Sequence, residues 1–141
     1  RNVTGVQTCA LPIYIFLDDE RFPEKVNWIQ LPLLNWTIVR NYNNFVDIIK
    51  KQGLPNFISF DHDLAKEHYH PSMYVSQEAY NKVMEDFKEK TGLDCAKFVV
   101  EYCADKNLSF PDYAVHSMNP IGRKNIISYI ESFKKSRNSY E

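Results

Sequence analysis

Four short apolar runs along the chain are each followed by polar residues, and they alternate with segments of helical periodicity. The runs cover residues 14–17, 36–39, 57–60 and 113–115. Continuous apolar runs of this length are typical of strands that are buried on both faces of a parallel sheet. Strands that alternate with helices predict βαβ units, so we expect an α/β fold with a mostly parallel sheet.

Three segments carry apolar residues at helical spacing. The first contains Phe45 and Ile49 and ends near Gly53, a residue type that commonly terminates helices. Asp94 opens or caps the second, and Pro120 opens the third, because proline suits the first helical turn. The apolar positions of the second and third segments are Ala96, Val99, Val100, Cys103, Ile126, Ile127, Ile130 and Phe133.

Residues 65–92 are too long and too polar for a plain connection between elements of a compact α/β unit. We expect an insertion or lid here, with one short helix indicated by Val83, Met84 and Phe87. Other side chains of this insertion segment either stack on a nucleobase or pack the insertion against the domain. These side chains are His68, Tyr69, His70, Met73, Tyr74 and Tyr80.

The two ends of the chain differ from the rest. Residues 1–13 show no periodic pattern, and residues 3–13 resemble the conceptual translation of a sequencing adapter, as found in environmental reads. We therefore expect residues 1–13 to be a non-native or disordered tail. The remaining chain is expected to form one domain over residues 14–135, followed by a frayed tail over residues 136–141.

Composition agrees with a single folded domain. Of 141 residues, 44% are hydrophobic and 25% charged, a balance that supports a packed core and argues against a disordered chain. With 17 basic and 18 acidic residues the formal net charge is -1, so we do not expect binding to duplex nucleic acid. No apolar run approaches the roughly 20 residues that span a bilayer, so we expect no membrane contact and a cytoplasmic location.

Polar side chains follow three of the four predicted strands directly. They are Asp18 and Asp19 after the first strand, Asp61, His62 and Asp63 after the third, and His116 and Ser117 after the fourth. The carboxyl ends of parallel strands share one edge of the sheet, where α/β proteins bind their ligands. We therefore expect these residues to lie close together in one site.

The four carboxylates at this edge predict a divalent cation. Carboxylates that lie close together repel one another unless a cation sits among them, and oxygen ligands favour Mg²⁺ or Mn²⁺ over zinc. Taken one at a time, Asp18, Asp19 or Asp63 could equally cap a neighbouring helix or pair with Arg21. Both interpretations stay open for the individual residues.

His62 and His116 enter the same edge from different strands. Because histidine changes charge near neutral pH, the pair could supply a general acid and a general base for phosphoester chemistry. For His62, a structural role within its loop is an equal alternative. Ser117 could bind a phosphate oxygen or act as a cap. The basic residues that could bind phosphate are Arg21, Arg123 and Lys124, the last two in the first turn of the last helix.

Four stretches around the strand ends can be compared with known families. They are LDDER at residues 17–21, SFDHDL at 59–64, TGLD at 91–94 and HSMNPIGR at 116–123. Together they resemble the cyclic-phosphate processing receiver domain, over nearly everything from Tyr14 to about Phe133. The resemblance implies a three-layer, receiver-like (flavodoxin-like) fold. Its doubly wound, mostly parallel sheet would have four to five strands with helices on both faces.

The resemblance also implies roles for single residues. Receiver domains bind Mg²⁺ through an acidic pair after the first strand, which Asp18 and Asp19 match. They carry a phosphoryl group on an aspartate after the third strand, which Asp61 matches. The chain departs from ordinary receivers where His116 and Ser117 replace a serine or threonine, and we identify no fifth strand with the receiver's lysine. Phosphorelay signalling is therefore not the function that we expect first.

The family is linked to cyclic phosphates, either RNA 2′,3′-cyclic ends or cyclic nucleotide messengers. The resemblance therefore implies a metal-dependent phosphoesterase that opens a cyclic phosphate and takes such a nucleotide or RNA end as its ligand. Asp18, Asp19 and Asp61 would hold Mg²⁺ or Mn²⁺ against a phosphate oxygen.

Proton transfer in such a reaction would fall to the remaining residues of the edge. His116 would protonate the leaving ribose oxygen, and His62, or Asp63 through water, would activate the nucleophile. The residues expected to bind or orient the phosphate are Arg21, Ser117, Asn119, Arg123 and Lys124.

Two other functions stay open. The chain could be a non-catalytic protein that sequesters cyclic nucleotides, as a phage protein opposing host defence would. It could also be a phosphoacceptor receiver module that uses Asp61. Three results distinguish these functions. Turnover indicates the enzyme, stoichiometric recovery of intact ligand indicates the sequestering protein, and labelling by acetyl phosphate indicates the receiver module.

Overall fold

A computed structural model describes residues 11–138, with side chains up to residue 137. The strands are β1 (Tyr14–Leu17), β2 (Thr37–Val39), β3 (Phe57–Phe60) and β4 (Asp112–Val115). The α-helices are α1 (Tyr42–Gln52), α2 (Gln77–Met84), α3 (Gly92–Lys106) and α4 (Pro120–Asn138). Short 3₁₀ helices lie at Pro23–Lys25, Lys66–Tyr69 and Pro71–Tyr74. The expected α/β fold is confirmed.

The four strands form one parallel sheet in the order β2-β1-β3-β4. Leu17 of β1 pairs with Val39 of β2 and with Phe60 of β3, and Phe60 pairs with Val115 of β4. All four strands therefore end at the same level, and the residues that follow them emerge along a common line. We call this line the carboxyl edge.

One face of the sheet carries the hydrophobic core. Residues along a strand alternate between the two faces, and Ile15, Leu17, Ile58 and Phe60 all point to the face that packs against α1, α3 and α4. The helices contribute Phe45, Ile49, Cys95, Ala96, Val99, Cys103, Ile126 and Ile130 to the same cluster. This packing holds the strands, and with them the carboxyl edge, in fixed positions.

The opposite face of the sheet lies under the connection between β1 and β2. This face carries Phe16, Trp36 and Phe57. The ring centroid of Trp36 lies 6.1 Å from that of Phe16 and 5.7 Å from that of Phe57. The connection, residues 18–36, packs against Trp36 and Ile38 and contains the 3₁₀ helix Pro23–Lys25. We call residues 18–36 the β1–β2 segment.

Two helix boundaries differ from those expected from the sequence. α3 is capped by Thr91, and Asp94 lies at its third position, where the carboxylate accepts from the Thr91 N–H at 2.8 Å to close a capping box. α2 ends before Phe87, whose ring packs on that of His68 with centroids 4.8 Å apart. The expected helical position of Phe87 is therefore wrong, because this partly buried side chain makes a tertiary contact beyond the end of α2.

The other helices agree with the sequence more closely. Gly53 ends α1 with φ of 91°, a conformation that glycine adopts without strain, and Pro120 is the first residue of α4. α4 continues to Asn138, into the region expected to be frayed from residue 136, while residues 139–141 lie outside the described part. Within residues 11–138 no helix is both long enough and apolar enough to span a bilayer.

Most of the adapter-like tail expected over residues 1–13 lies outside the described residues. Ile13, its last residue, is bound to the fold: its N–H donates to Asn56 Oδ1 at 3.2 Å and its carbonyl accepts from the Asn56 N–H at 2.8 Å. Ile13 also packs against the hydrophobic core. The folded chain therefore begins at or before Ile13.

Candidate functional site

Three strands deliver polar residues to the carboxyl edge by continuing the hydrogen bonding of the sheet for one further step. The backbone N–H groups of Asp18, Asp61 and His116 each donate to a carbonyl of a neighbouring strand at 2.9–3.0 Å. Because these backbones belong to the sheet, the three side chains start from fixed positions.

Asp18, Asp61 and His116 place three candidate ligand atoms within 4.8 Å of one another. Asp18 Oδ2 lies 3.0 Å from His116 Nε2, and all three side chains are buried. Asp61 Oδ2 is also buried but has no hydrogen-bond partner among the described residues. A buried polar atom without a partner is costly, so this oxygen indicates a place for a cation or a proton. We call these three residues the carboxylate cluster.

The two carboxylates of the cluster have opposite pKa shifts. Burial acts to raise the pKa of Asp18, but hydrogen bonds from His116 and from backbone N–H groups outweigh it and lower the pKa to about 2. Burial, followed by repulsion from Asp18 and Asp63, raises the pKa of Asp61 to about 8. Asp61 is therefore the carboxylate whose ionised form most needs a neighbouring positive charge.

Arg21 brings positive charge to the cluster from the solvent side. Its Nη1 lies 3.3 Å from Asp18 Oδ2 and 3.9 Å from Asp61 Oδ2. The guanidinium also lies 5.2 Å from the ring centroid of Trp28, and 28% of the Arg21 side chain is exposed. Arg21 therefore touches both the cluster and solvent, as a phosphate-binding residue must. The pairing of Asp18 with Arg21 considered from the sequence is present.

His116 is held on several sides. Its Nδ1 lies 2.7 Å from Ser59 Oγ, and its ring stacks on Phe16 at 4.5 Å with an interplanar angle of 8°. Trp28 Nε1–H donates to the His116 carbonyl at 2.7 Å. Burial lowers the pKa of His116 although its hydrogen bond to Asp18 acts in the other direction. The neutral imidazole, which is the form that binds metals, is therefore favoured.

Asp19 lies apart from the carboxylate cluster. Its half-buried carboxylate accepts a hydrogen bond from the Tyr69 hydroxyl at 3.0 Å. Burial raises the pKa of Asp19, with the hydrogen bond from Tyr69 acting against this shift and repulsion from Asp18 adding to it. The acidic pair after β1 is thus divided, because Asp18 faces His116 while Asp19 faces the insertion segment.

His62 and Asp63 belong to a second buried network. His62 Nδ1 lies 2.7 Å from Asp63 Oδ1, and His62 Nε2 lies 2.7 Å from the Tyr80 hydroxyl. Asp63 also accepts from the Tyr74 hydroxyl at 2.7 Å and from Asn119 Nδ2 at 3.3 Å. The network ties the end of β3 to the insertion segment and to the start of α4, and it uses both nitrogens of His62.

The remaining candidate residues lie around the first turn of α4. Ser117 Oγ accepts from the Asn119 N–H at 3.1 Å, and Asn119 Oδ1 accepts from the Gly122 N–H at 3.0 Å. Asn119 therefore caps the start of the helix, whereas Ser117 binds the residue that precedes it. Arg123 Nε donates to a backbone carbonyl of β4 at 3.3 Å, and Lys124 is exposed on α4.

The insertion segment contacts the site through polar groups. The partly exposed Tyr69 and Tyr74 donate to Asp19 and Asp63, as described above, and burial raises the pKa of both hydroxyls. His68, Met73 and Tyr80 are buried. These three side chains therefore pack the insertion segment against the domain, which is one of the two roles considered from the sequence.

Two glycines make the close packing around the site feasible. A Cβ on Gly92 would lie 1.7 Å from the carbonyl oxygen of Asp61, and a Cβ on Gly122 would lie 2.5 Å from His62 Cγ. Both distances are far below van der Waals contact, so neither position has room for a side chain.

Three residues that contact the cluster were not candidates in the sequence. Ser59, which meets His116, interrupts the apolar run of β3, and this polar residue was an available signal. Trp28 lies in the β1–β2 segment, and Arg40 donates from Nη1 to the carbonyls of Asp18 at 3.1 Å and Arg21 at 2.7 Å. No local pattern marks Trp28 or Arg40, because folding alone brings them to the site.

Comparison with known families agrees with this geometry. The family model of the cyclic-phosphate processing receiver domain matches residues 13–132. The chain belongs to this family. No curated protein and no solved structure matches the chain. The family expected from the sequence motifs is thus confirmed for this receiver domain, whose function is linked by its family to the processing of cyclic phosphates.

The carboxylate cluster of this receiver domain could hold a divalent cation. The residues present fit one, because two carboxylates and an imidazole converge and one carboxylate oxygen accepts no hydrogen bond among residues 11–137. The sequence expectation was Asp18, Asp19 and Asp61, whereas the atoms that converge belong to Asp18, Asp61 and His116. A mixed set of oxygen and nitrogen donors suits Mn²⁺ better than Mg²⁺, which prefers oxygen alone.

Proposed function

We propose that this receiver domain is a metal-dependent phosphoesterase that opens a cyclic phosphate. The observation that carries the proposal is the buried Asp61 Oδ2, which accepts no hydrogen bond within the described chain and has only the Arg21 guanidinium at 3.9 Å, although Asp18 and His116 offer ligand atoms within 4.8 Å. The substrates that we propose are RNA 2′,3′-cyclic phosphate ends and cyclic nucleotide messengers.

Asp18, Asp61 and His116 are the residues that would hold the cation in this proposal. When bound, Mn²⁺ or Mg²⁺ would polarise a phosphate oxygen as a Lewis acid. Ser59 positions the imidazole, because its hydroxyl at 2.7 Å can accept from Nδ1–H and so leave Nε2 free toward the carboxylates.

Arg21 is the residue that we assign to the phosphate. Its guanidinium lies within 4.0 Å of both carboxylates of the cluster and retains an exposed surface. The free N–H groups of arginine can donate to phosphoryl oxygens, where they offset the charge that develops during the reaction.

Ring opening requires two proton movements. A water oxygen bonds to phosphorus and one ring P–O bond breaks, so the water loses a proton and the released ribose oxygen gains one. We assign the proton that the water loses to Asp19, which is half-buried, has a raised pKa and lies beside the Tyr69 hydroxyl, and the released ribose oxygen takes its proton from solvent. His62 and His116 are fully buried with both ring nitrogens in polar contacts, so in this proposal they position other groups.

The test is chromatography of nucleotides incubated with chelator-treated protein. The substrates are 2′,3′-cyclic mononucleotides, 3′,5′-cyclic mononucleotides, and cyclic di- and trinucleotides, each with Mn²⁺, with Mg²⁺ and with EDTA. We expect ring opening of one class, faster with Mn²⁺ than with Mg²⁺ and absent with EDTA. Ring opening that is unaffected by EDTA would refute the metal-dependent mechanism.

Matched variants connect the activity to the cluster. Asp61→Asn removes the charge that faces the cation, so we expect turnover to fall by about 100-fold or more. Asp47→Asn is the control, because Asp47 is exposed on α1, where it pairs with Lys51 at 3.0 Å. Equal turnover by both variants would remove Asp61 from the mechanism.

Sequestration of a cyclic nucleotide is the second candidate function. The observation that favours it is the full burial of His62 and His116, which leaves neither histidine in contact with solvent. If every nucleotide returns intact while one is depleted from free solution in proportion to the protein, sequestration replaces hydrolysis. The carboxylate cluster would then be a binding device.

A further inference from the structure

The β1–β2 segment and the edge strand β2 line an open apolar pocket. The cavity measures about 500 Å³. Its walls are formed by Phe22 at one end, by leucines of the segment, and by Trp36 and Ile38 at the sheet. The part of the sheet surface that carries Trp36 is the face opposite the helices, so this pocket is separate from the hydrophobic core.

The pocket adjoins the phosphate-binding residue of the proposed site. Arg21 and Phe22 are consecutive, so their Cα atoms lie about 3.8 Å apart. Arg21 contacts the carboxylate cluster, whereas Phe22 lines the pocket. Arg40 holds this junction, because it donates to the carbonyls of Asp18 and Arg21 while its guanidinium lies 4.7 Å from the Phe22 ring centroid.

We propose that this pocket binds the base of the cyclic nucleotide whose phosphate binds at Arg21. The inference rests on the proposed function and names its substrate more closely. A nucleobase is a flat ring system with apolar faces, and small-molecule pockets of about 300–1,000 Å³ with aromatic walls are suited to such groups. In this proposal one nucleotide places its phosphate at Arg21 and its base beside the next residue, Phe22.

Glu24 selects the base in this proposal. It is the single ionisable side chain among the described residues that line the pocket. A carboxylate accepts two hydrogen bonds and donates none. Guanine presents two adjacent donors, N1–H and the N2 amino group, to such an acceptor, whereas adenine presents only its N6 amino group. The pocket is therefore assigned to guanine.

Calorimetric titration tests the pocket separately from the chemistry. The probes are guanosine, adenosine, 2′,3′-cyclic GMP and glycerol 1,2-cyclic phosphate, which carries a cyclic phosphate without a base. We expect guanosine to bind more tightly than adenosine, and cyclic GMP to bind about tenfold or more tightly than the base-free phosphate. Equal affinities of cyclic GMP and the base-free phosphate would overturn the proposal.

Two variants locate the binding in this pocket. Val26→Trp fills the cavity from the β1–β2 segment and should weaken guanosine binding by about tenfold or more, whereas Val75→Trp, at an exposed valine of the insertion segment, should not. Glu24→Gln, at an exposed site, should remove the preference for guanosine, whereas the exposed control Glu78→Gln should keep it. Guanosine binding that survives Val26→Trp, or a preference that survives Glu24→Gln, would overturn the assignment.

The outcomes separate this inference from the proposed function. Guanosine contains no phosphate and needs no metal, so its binding without any ring opening would support the pocket and refute the phosphoesterase. Ring opening at equal rates with guanine, adenine and base-free substrates would support the phosphoesterase and refute the pocket.

Discussion

The buried position of Asp61 disfavours the ionised form of its carboxylate. Burial, together with repulsion from Asp18 and Asp63, raises the pKa of its carboxylate, and one of its oxygens has no hydrogen-bond partner in the described chain. The fold nevertheless keeps it there, because its N–H belongs to the sheet and its carbonyl packs against Gly92. Strongly perturbed carboxylates are common at functional sites.

The two glycines at the site provide a test of this packing. Ala at position 92 would collide with backbone and Ala at position 122 with the buried His62 ring, so we expect Gly92→Ala and Gly122→Ala to lower the free energy of unfolding by about 1–3 kcal/mol or more. The backbone cannot move aside as a side chain can, so Gly92→Ala should cost more. Urea unfolding measures both.

Gly53→Ala is the comparison for these glycine variants. Nothing lies within 4 Å of a Cβ at Gly53, and its φ of 91° alone opposes a side chain. We expect a cost of about 1 kcal/mol from backbone conformation. If Gly92→Ala were no more destabilising than Gly53→Ala, the described contact with Asp61 would be wrong.

His68 predicts a pH dependence of stability. Its Nδ1 accepts from the Leu64 N–H at 2.8 Å, its Nε2 contacts the Glu89 carbonyl at 2.9 Å, and burial lowers its pKa below 6.5. The unfolded chain therefore binds a proton at a higher pH than the folded chain. The stability that neutral His68 contributes is fully present above about pH 6.5. It is lost as the pH falls from there through the lowered pKa of the folded chain.

Replacement of His68 should flatten this dependence. Between about pH 7.5 and about pH 5, we expect His68→Gln to lose less stability than the wild type, by up to about 1.4 kcal/mol per pH unit. His70→Gln, at an exposed histidine, should keep the wild-type slope. Urea unfolding at the two pH values gives both slopes, and identical slopes for His68→Gln and wild type would contradict the buried neutral form.

At the scale of elements, the start of α3 packs against the backbone of Asp61 and His62. Thr91 and Asp94 form the capping box, and Gly92, the first helical residue, donates from its N–H to the His62 carbonyl at 2.8 Å. The cap therefore fixes the same turn that packs on Asp61. Helix initiation and site geometry depend on the same few residues.

Thr91→Ala should expose the contribution of this cap. Loss of the hydroxyl acceptor leaves an N–H of the first turn unsatisfied, so we expect the free energy of unfolding to fall by about 0.5–2 kcal/mol. Thr91→Ser keeps the acceptor and should retain most of the stability. Thermal and urea unfolding compare the three proteins, and equal stability of the alanine and serine variants would show that the cap contributes nothing.

At the scale of the whole molecule, cation binding should couple to unfolding. A ligand that binds only the folded chain adds about 2.7 kcal/mol at a concentration of 100 times its Kd. We therefore expect saturating Mn²⁺ to raise the Tm of chelator-treated protein by several degrees. Differential scanning fluorimetry measures this shift.

Asp61→Asn should abolish the Mn²⁺ shift, whereas Asp47→Asn on α1 should retain it. In EDTA, Asp61→Asn should also melt at a higher temperature than the wild type, because the neutral amide removes repulsion from Asp18 and Asp63. A Tm that responds to Mn²⁺ equally in both variants would place the cation elsewhere.

Much of this architecture could be predicted from local patterns. Apolar runs of three or four residues predicted strands because both faces of a parallel sheet are covered, and Gly53 and Pro120 marked helix ends through their backbone preferences. The polar residues after the runs indicated the carboxyl edge, because parallel strands end together. The motifs with Gly92 and Gly122 also pointed to the family, which the match over residues 13–132 confirms.

The sequence by itself therefore determined the parallel α/β fold and the family, since both depend on period, on turn chemistry and on short motifs. Tertiary structure alone decided that Asp18 faces His116 while Asp19 faces Tyr69, and that His62 is enclosed between Asp63 and Tyr80. The physical reason is that a side chain's direction beyond the end of a strand depends on contacts from distant segments. Those contacts have no period along the chain.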